Sequence, residues 1–317
     1  MKKLLVSFFV LLFFFNIFSA KIGVLMPFAS KGDETFGYMV YQGLDNFSKR
    51  YPEITIDYVY PERETSFKAY INYFSLSYDI IIAAGFMYRD AVIEEASKNL
   101  NKKYYLIDSY VDMPNVHCIV FDDYQASFIG GAIAGTFFPD WKFGFIGAQT
   151  SFLTDNFYYG FENGLKYSGY NQTIEKLYIS NNLVGFVNPN KARNEAELLY
   201  NNGVDIIFAP CGGSSLGVLD AALKNEKYII GIDRAFEDLS DIGVIFSLTK
   251  RIDRILYREL ISGVIEKKFQ PGIKKYDFSN GGYELAYMDR LDRVYGYSRI
   301  TYIRNLIEKV IKNEIIY

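Results

Sequence analysis

The chain has 317 residues, a formal net charge of −3, and only one histidine and two cysteines. This length is enough for two domains of ordinary size, and with 50% hydrophobic residues each domain can bury a large core. Basic and acidic residues are mixed and nearly equal in number, so the composition gives no indication of a protein that binds nucleic acid or anionic membranes. One histidine and two distant cysteines do not form a metal-ligand set, so we expect neither a metal nor a cofactor.

The first twenty residues have the pattern of a secretory signal. Lys2 and Lys3 precede an apolar run over 4–18, which ends at Ser19-Ala20. We therefore predict a signal peptide over 1–20 and export to the periplasm or cell envelope, with an uncleaved anchor as the alternative. No cysteine follows the apolar run, so we expect no lipid anchor.

The region after the signal alternates between short apolar runs and segments of helical periodicity. This alternation predicts a parallel α/β sheet with right-handed crossovers. The predicted strands are 22–27, 54–60, 79–84, 104–108 and 116–121, and the predicted helices are 36–50, 70–77 and 90–100.

A second region of the same kind starts after Asp122-Asp123. A helix over 126–137 contains several glycines and alanines, which permit close packing, and strands and helices alternate again after it. Further strands are predicted at 143–146, 174–179, 204–209, 228–232, 244–247, 275–278 and 283–287, and further helices at 157–166, 188–202, 252–265 and 298–312. Without a flexible linker between the regions, we expect the chain to cross between two lobes more than once.

The stretch from 204 to 233 has the order strand, glycine turn, helix, strand. Cys211-Gly-Gly ends the first strand, Ser214 is a candidate helix N-cap, and Asp233 ends the second strand. Because ligands bind at the carboxyl ends of strands in open parallel sheets, we expect half of a binding cleft here.

Gly213-Ser-Ser-Leu-Gly217 also fits the G-x-S-x-G pattern of a hydrolase nucleophile. Such a hydrolase needs a histidine base after the serine, whereas His117 lies upstream in an apolar strand. We therefore expect no enzyme activity. Cys118 and Cys211 are interpreted as two small buried residues rather than a disulfide.

Several short motifs together resemble one family. They occur in its order over roughly residues 22 to 253: Gly32-Asp33-Glu34-Thr35-Phe36, Ile82-Ala-Ala-Gly-Phe86, Tyr105-Leu-Ile-Asp108, Phe143-Gly-Phe-Ile-Gly147, Phe157-Tyr-Tyr-Gly-Phe161, Gly231-Ile-Asp233 and Ser247-Leu-Thr-Lys250. The family is the basic membrane protein family of nucleoside-binding receptors in bacterial ABC transporters. The resemblance implies a type I periplasmic binding fold, with two doubly wound parallel-sheet lobes joined by a three-crossover hinge. It assigns 21–121 and 235–268 to the N-terminal lobe, and 122–234 and 269–317 to the C-terminal lobe.

The resemblance also implies a ligand site in the cleft between the lobes. Two phenyl rings would clamp a base, an acid and a lysine would bind ribose hydroxyls, further acids would read the base, and a glycine would allow close backbone approach. The candidate residues for these roles are Phe36, Phe157, Asp233, Lys250, Asp33, Asp108 and Gly213. Phe86, from the motif Ile82-Ala-Ala-Gly-Phe86, is a further candidate ligand-binding residue. The expected partners are a nucleoside and a membrane permease, with the receptor acting as a monomer.

Each of these residues also has an ordinary structural interpretation. A phenylalanine at a helix start is often core, an aspartate after a strand is often a helix cap, and Lys250 could pair with Asp253 on one helical turn. The sequence also departs from the family at Met26-Pro27, where Thr-Asp is usual, and at Gly37, where Asn is common. The ligand could therefore be a nucleoside or another small molecule, such as a sugar, that serves a transporter or a sensor.

Overall fold

The computed structural model describes residues 20–32, 34–240, 242–286 and 296–315. Residues 1–19 of the predicted signal peptide (1–20) and the candidate site residue Asp33 lie outside these ranges. None of the helices in the described ranges is long and apolar enough to cross a membrane.

Two six-stranded sheets form the centres of two lobes. The first sheet contains β1 (Lys21–Leu25), β2 (Thr55–Val59), β3 (Ile80–Ala84), β4 (Lys103–Ile107), β5 (Val116–Phe121) and β11 (Gly272–Tyr276). The second contains β6 (Phe143–Gly147), β7 (Glu175–Tyr178), β8 (Ile206–Phe208), β9 (Tyr228–Ile232), β10 (Val244–Lys250) and β12 (Tyr283–Leu285). The helices are α1 (Phe36–Arg50), α2 (Phe67–Ser77), α3 (Arg89–Lys98), α4 (Asp123–Phe137), α5 (Phe152–Tyr167), α6 (Pro189–Asn201), α7 (Ser215–Lys224), α8 (Ile252–Leu260) and α9 (Tyr297–Ile311).

The strand orders are β11-β5-β4-β3-β1-β2 and β12-β10-β9-β8-β6-β7. Every pairing is parallel except that of β12, which runs antiparallel to β10 at the edge of the second sheet. The interior strands β3 and β6 are buried along their whole length, as parallel strands covered by helices on both faces must be. The predicted fold of two α/β lobes is confirmed.

The chain passes between the two sheets three times in the described ranges. It leaves the first sheet between β5 and α4, returns between β10 and α8, and leaves again between β11 and β12. Backbone hydrogen bonds tie these passages together: the Asp122 N–H donates to the Tyr276 carbonyl at 2.8 Å, and the Arg251 N–H donates to the Gly282 carbonyl at 2.8 Å. The expected three-crossover hinge is therefore present.

The predicted lobe boundaries are wrong at two strands. The range 235–268 was assigned to the N-terminal lobe, but β10 continues the parallel order of the second sheet beside β9. The range 269–317 was assigned to the C-terminal lobe, but β11 pairs with β5 and so covers an edge of the first sheet. Within the range 235–268, α8 packs against α1 and so belongs to the first lobe, as predicted.

The glycine-rich helix α4 packs against α5 with its backbone in contact, as its composition predicted. A Cβ added to Gly131 would lie 2.1 Å from the Phe161 carbonyl oxygen, and one added to Gly164 would lie 2.0 Å from that of Phe128. Because no larger residue fits at either position, the small residues are needed for this contact.

Two helices begin earlier than predicted because polar side chains cap them. α4 begins at Asp123, after the Asp122 carboxylate accepts the Gln125 N–H, and α5 begins at Phe152, after Ser151 accepts the Thr154 N–H. The helix predicted over 252–265 is α-helical only to Leu260 and continues as a π-helical turn over Ile261–Ile265.

The structure also tests the predicted N-cap Ser214 and the two cysteines. Ser214 does not cap α7 with its side chain; its hydroxyl donates to the Gly185 carbonyl and accepts the Asn188 N–H instead. Cys118 and Cys211 are free, buried and in different lobes, as predicted.

Candidate ligand-binding cleft

A cavity lies between the lobes at the carboxyl ends of their strands. Its free volume is about 630 Å³, including its opening to solvent. It is lined by Pro27, Phe28, Ser30, Phe36, Gly85, Phe86, Met87, Asp108, Leu153, Phe157, Phe186, Val187, Pro210, Gly212, Gly213, Asp233 and Lys250. Seven of the eight predicted site residues are thus brought together, and Asp33 lies outside the described residues. Their contact with a ligand stays a prediction.

The two aspartates of the cavity have an unusual backbone conformation. Asp108 directly follows β4 and Asp233 directly follows β9, with φ angles of 59° and 71°. Positive φ is uncommon outside glycine and is tolerated best by Asn and Asp. Strained backbone of this kind clusters at functional sites, where it sets the direction of a side chain. The two carboxylates are therefore positioned at the cleft edge of both sheets.

Lys250, at the end of β10, is the buried cation at the centre of the site. Its Nζ lies 3.0 Å from Asp108 Oδ2 and 2.9 Å from Asp123 Oδ1, and its side chain is 1% exposed. The alternative pairing with Asp253 is wrong, because Asp253 binds Arg251. Since Asp108 belongs to the first lobe and Lys250 to the second, this ion pair also joins the lobes.

The sequence interpretation missed Asp123 as part of this cluster. Asp123 is buried at the start of α4, where the Tyr283 hydroxyl donates to its carboxylate. The only local signal was the Asp122-Asp123 pair. It marked the start of the second region of the sequence, but it did not show which way either side chain points. The second acid of the pair faces the cleft and the first caps the helix.

The charges of the cluster are unequal, with three carboxylates around one ammonium. Burial lowers the pKa of Lys250, but Asp108, Asp123 and Asp233 together raise that pKa well above its ordinary value. Burial raises the pKa of Asp123 to about 6, against the opposing effect of Lys250. The lysine is therefore charged, and three carboxyl groups surround this single ammonium group.

Two buried oxygens at the cavity have no hydrogen-bond partner in the described part of the chain. They are Asp108 Oδ1 and Ser30 Oγ. Buried polar atoms nearly always have partners, so an exception needs a physical reason. Both residues line the cavity, and a donor group on a ligand would supply the missing partner of the carboxylate.

Aromatic rings from both lobes border the same space. The Lys250 Nζ lies 5.8 Å from the ring centre of Phe36 in the first lobe and 5.4 Å from that of Phe157 in the second. A further ring was missed: Phe186 in the second lobe lies 5.9 Å from Phe86 in the first, centre to centre. No sequence motif marked the segment around Phe186, so only the fold reveals its place.

The serine of the hydrolase-like motif is used structurally. The Ser215 hydroxyl donates to the Gly212 carbonyl at 2.5 Å, within the second lobe. His117 lies in β5 of the first sheet, where its Nδ1 is 2.6 Å from the Gln270 carbonyl oxygen and its Nε2 is 3.2 Å from Glu259 Oε2. The described residues contain no cluster of His, Cys, Asp and Glu that could hold a metal ion.

Known proteins share both the sequence pattern and the fold. The sequence profile of the family described as "ABC transporter substrate-binding protein PnrA-like" matches residues 20–316. Basic membrane protein B of Borreliella burgdorferi is 32% identical over 248 residues, which span 75% of this chain and 69% of that protein. Basic membrane protein D of the same species is 32% identical over 198 residues, which span 59% of this chain but only 57% of that protein.

Solved structures of solute-binding proteins have the same two-lobed architecture. One from Aeropyrum pernix K1 superposes with a TM-score of 0.81 at 19% identity, covering 94% of this chain and 93% of that one. A 5-methylthioribose transporter solute-binding protein from Thermotoga lettingae superposes with a TM-score of 0.66 at 13% identity, covering 92% and 97%. With the profile match over nearly the whole sequence, the chain belongs to the PnrA-like family of ABC transporter substrate-binding proteins, to which the basic membrane proteins are related.

Proposed function

We propose that this protein is an exported receptor that captures a nucleoside, of the purine class, and delivers it to an ABC permease. The observation that carries the proposal is that a buried acid–ammonium cluster and phenyl rings from both lobes border one cavity. A nucleoside combines the two matching groups, a hydroxyl-bearing ribose and a flat base.

The ribose would bind at the acidic cluster. Asp108 Oδ1 is a buried acceptor that needs a donor, and Asp233 lines the cavity beside it. Adjacent hydroxyls of a ribose can donate to both carboxylates, and each such charge-assisted hydrogen bond contributes about 1.5–3 kcal/mol. A ligand without those hydroxyls would leave the carboxylate unsatisfied and would bind more weakly.

The base would lie between Phe36 and Phe157, with apolar groups around it. The lining residues Phe28, Met87 and Pro210 offer no side-chain donor or acceptor. Pro27, one of the two residues that replace the family's usual Thr-Asp, also has no side-chain donor or acceptor. Stacking and apolar burial would therefore contribute most of the affinity for the base, and side-chain reading of its edges would contribute little.

The three carboxyl groups around Lys250 argue for the nucleoside rather than the nucleotide. A phosphate group would enter next to three carboxylates with Lys250 already paired to two of them. Like charges at such distances in a buried site repel strongly. We therefore expect the 5′-monophosphate to bind much more weakly than the nucleoside.

A sugar receptor is the alternative, since solved structures of this fold include the 5-methylthioribose protein and a glucose-galactose binding protein. A hexose carries hydroxyls around its whole ring. Among the described residues that line the cavity, the polar side chains are Ser30, Asp108, Asp233 and Lys250, and apolar residues form the remaining walls. This division favours a ligand with one polar and one apolar half.

Thermal-shift and calorimetric titration would test the assignment, using purine nucleosides, pyrimidine nucleosides, free bases, pentoses and nucleoside 5′-monophosphates. We expect purine nucleosides to raise the melting temperature most, because a ligand that binds only the folded state stabilises it by RT ln(1 + [L]/Kd). Phe157→Ala should lose the effect of the base and Asp233→Asn the effect of the ribose. Stabilisation by free sugars alone would remove the nucleoside assignment.

A further inference from the structure

Arg234 makes a connection between the lobes at the edge of the cleft. It directly follows Asp233 in the second lobe, and its side chain is 9% exposed. Its Nη1 donates to the Glu34 carbonyl oxygen at 3.1 Å and lies 2.9 Å from Glu34 Oε2, in the first lobe. Its guanidinium carbon also lies 4.3 Å from the centre of the Tyr38 ring.

The position of these contacts relates them to the ligand site. Glu34 and Tyr38 lie on either side of Phe36 in the chain, and Phe36 lines the cavity. Arg234 is adjacent to Asp233, which lines it from the other lobe. Arg234, Glu34 and Tyr38 are themselves absent from the residues that line this cavity. One side chain thus fastens the segment of Phe36 to the segment of Asp233 without occupying ligand space.

These contacts depend on the lobes being close together. If the lobes move apart, the guanidinium loses the carbonyl, the carboxylate and the aromatic face together, and Asp238 on its own lobe remains at 3.6 Å. Glu34 is half exposed, so its ion pair alone is weak. The planar guanidinium adds a hydrogen bond and a stacked ring contact, a combination that a lysine could not make.

We propose that Arg234 is a positioning residue that holds the two lobes closed and so sets the rate at which ligand leaves. Only the kinetic part of this proposal rests on the proposed function, because it requires a ligand that binds in the cleft. Arg234 contributes through closure and makes no contact with the ligand.

The kinetic test compares Arg234→Gln with Asp238→Asn by stopped-flow binding of a purine nucleoside. The first change removes the contacts between lobes, and the second removes a contact of the same guanidinium within one lobe. We expect Arg234→Gln to raise the dissociation rate about tenfold and to change the association rate less than about threefold, because ligand enters the open form, in which these contacts are absent, and leaves only after they break. Equal dissociation rates in Arg234→Gln and wild type, or an equal rise in Asp238→Asn, would overturn the proposal.

A ligand-free test measures closure directly, by fluorescence energy transfer between labels at Leu100→Cys in the first lobe and Leu198→Cys in the second. Both leucines are exposed, and the two native cysteines are buried and protected from labelling. We expect Arg234→Gln to lower the transfer efficiency, and a charge exchange (Arg234→Glu with Glu34→Arg) to restore part of the loss seen with Arg234→Glu alone. Unchanged transfer efficiency in Arg234→Gln would refute the proposal that Arg234 holds the lobes closed. Should the wild type bind no nucleoside, the proposed function fails while this measurement still decides the role of Arg234.

Discussion

Two buried charge clusters in the described structure differ in their composition: one has a single carboxylate among several polar partners, and the other has a single ammonium among three carboxyl groups. In the first lobe, Glu259 of α8 has three close polar neighbours: Lys274 Nζ lies 2.8 Å from Oε1, the Tyr276 hydroxyl donates to the same oxygen, and His117 Nε2 lies 3.2 Å from Oε2. Although burial raises the pKa of Glu259, these partners lower it to about 2. Both carboxylate oxygens of Glu259 therefore have a close polar neighbour within the lobe, although His117 Nε2 itself makes no hydrogen bond among the described residues.

The cluster around Lys250 is incomplete in the described structure. One ammonium faces three carboxylates, and Asp108 Oδ1 is buried without a hydrogen-bond partner. The Glu259 cluster ties α8, β5 and β11 within one lobe, whereas the incomplete one lies where two lobes meet. We infer from the comparison that the Glu259 cluster serves stability, and ligand binding at the Lys250 cluster is the role that we propose for it.

The largest effect is expected from Lys250→Met. Removing the ammonium leaves buried carboxylates without compensation, which should lower the free energy of unfolding by about 3–5 kcal/mol and abolish ligand binding. Lys274→Met is the matched control, because Lys274 also pairs with a buried acid but is 52% exposed, and it should cost less than about 1 kcal/mol. Urea denaturation measures both, and similar losses in the two variants would contradict the distinction.

A crossed pair of isosteric changes sharpens the comparison. Glu259→Gln should lower the free energy of unfolding by about 2 kcal/mol, since it weakens charge-assisted hydrogen bonds, and should leave ligand affinity unchanged. Asp108→Asn should weaken nucleoside binding by about tenfold or more and affect stability less. Denaturation and calorimetry on both variants would measure whether one change acts on stability and the other on affinity. A loss of affinity in Glu259→Gln would contradict this, because it would place the Glu259 cluster in the binding mechanism.

The smallest effect is a pH dependence from Asp123. Its pKa is raised in the folded protein from 3.8 to about 6, so the folded state binds a proton that the unfolded state releases in this window. The resulting stabilisation is complete below about pH 4 and is lost as the pH rises through about 6. The pKa of Glu259 is lowered, so its contribution has the opposite sign and is lost only as the pH falls from 4.5 toward about 2.

Denaturation between pH 4.5 and 7 of wild type and Asp123→Asn would measure this effect. We expect the stability of wild type relative to the variant to fall by on the order of 1 kcal/mol across that range, because other titrating groups cancel in the difference. A difference that rises or stays flat with pH would show that Asp123 is ionised throughout.

Local patterns in the sequence determined much of this protein. Apolar runs that end in a glycine or an acid marked strands such as β3, β4 and β9, and the order of short motifs indicated the family before any fold was seen. The same motifs named Phe36, Phe157, Asp233 and Lys250, which do border one cavity. These signals succeed because burial on a strand and the turn at its end depend on residues close together in the chain.

Only the tertiary structure decided which strand belongs to which sheet and which charges meet. β10 and β11 carry no local mark of their lobe, because the neighbouring strand decides membership. The Lys250–Asp108 pair joins residues 142 positions apart, and Arg234 reaches Glu34 across 200. Contacts of such separation depend on how the hinge places the two lobes, and that arrangement brings an otherwise ordinary acid such as Asp123 into the site.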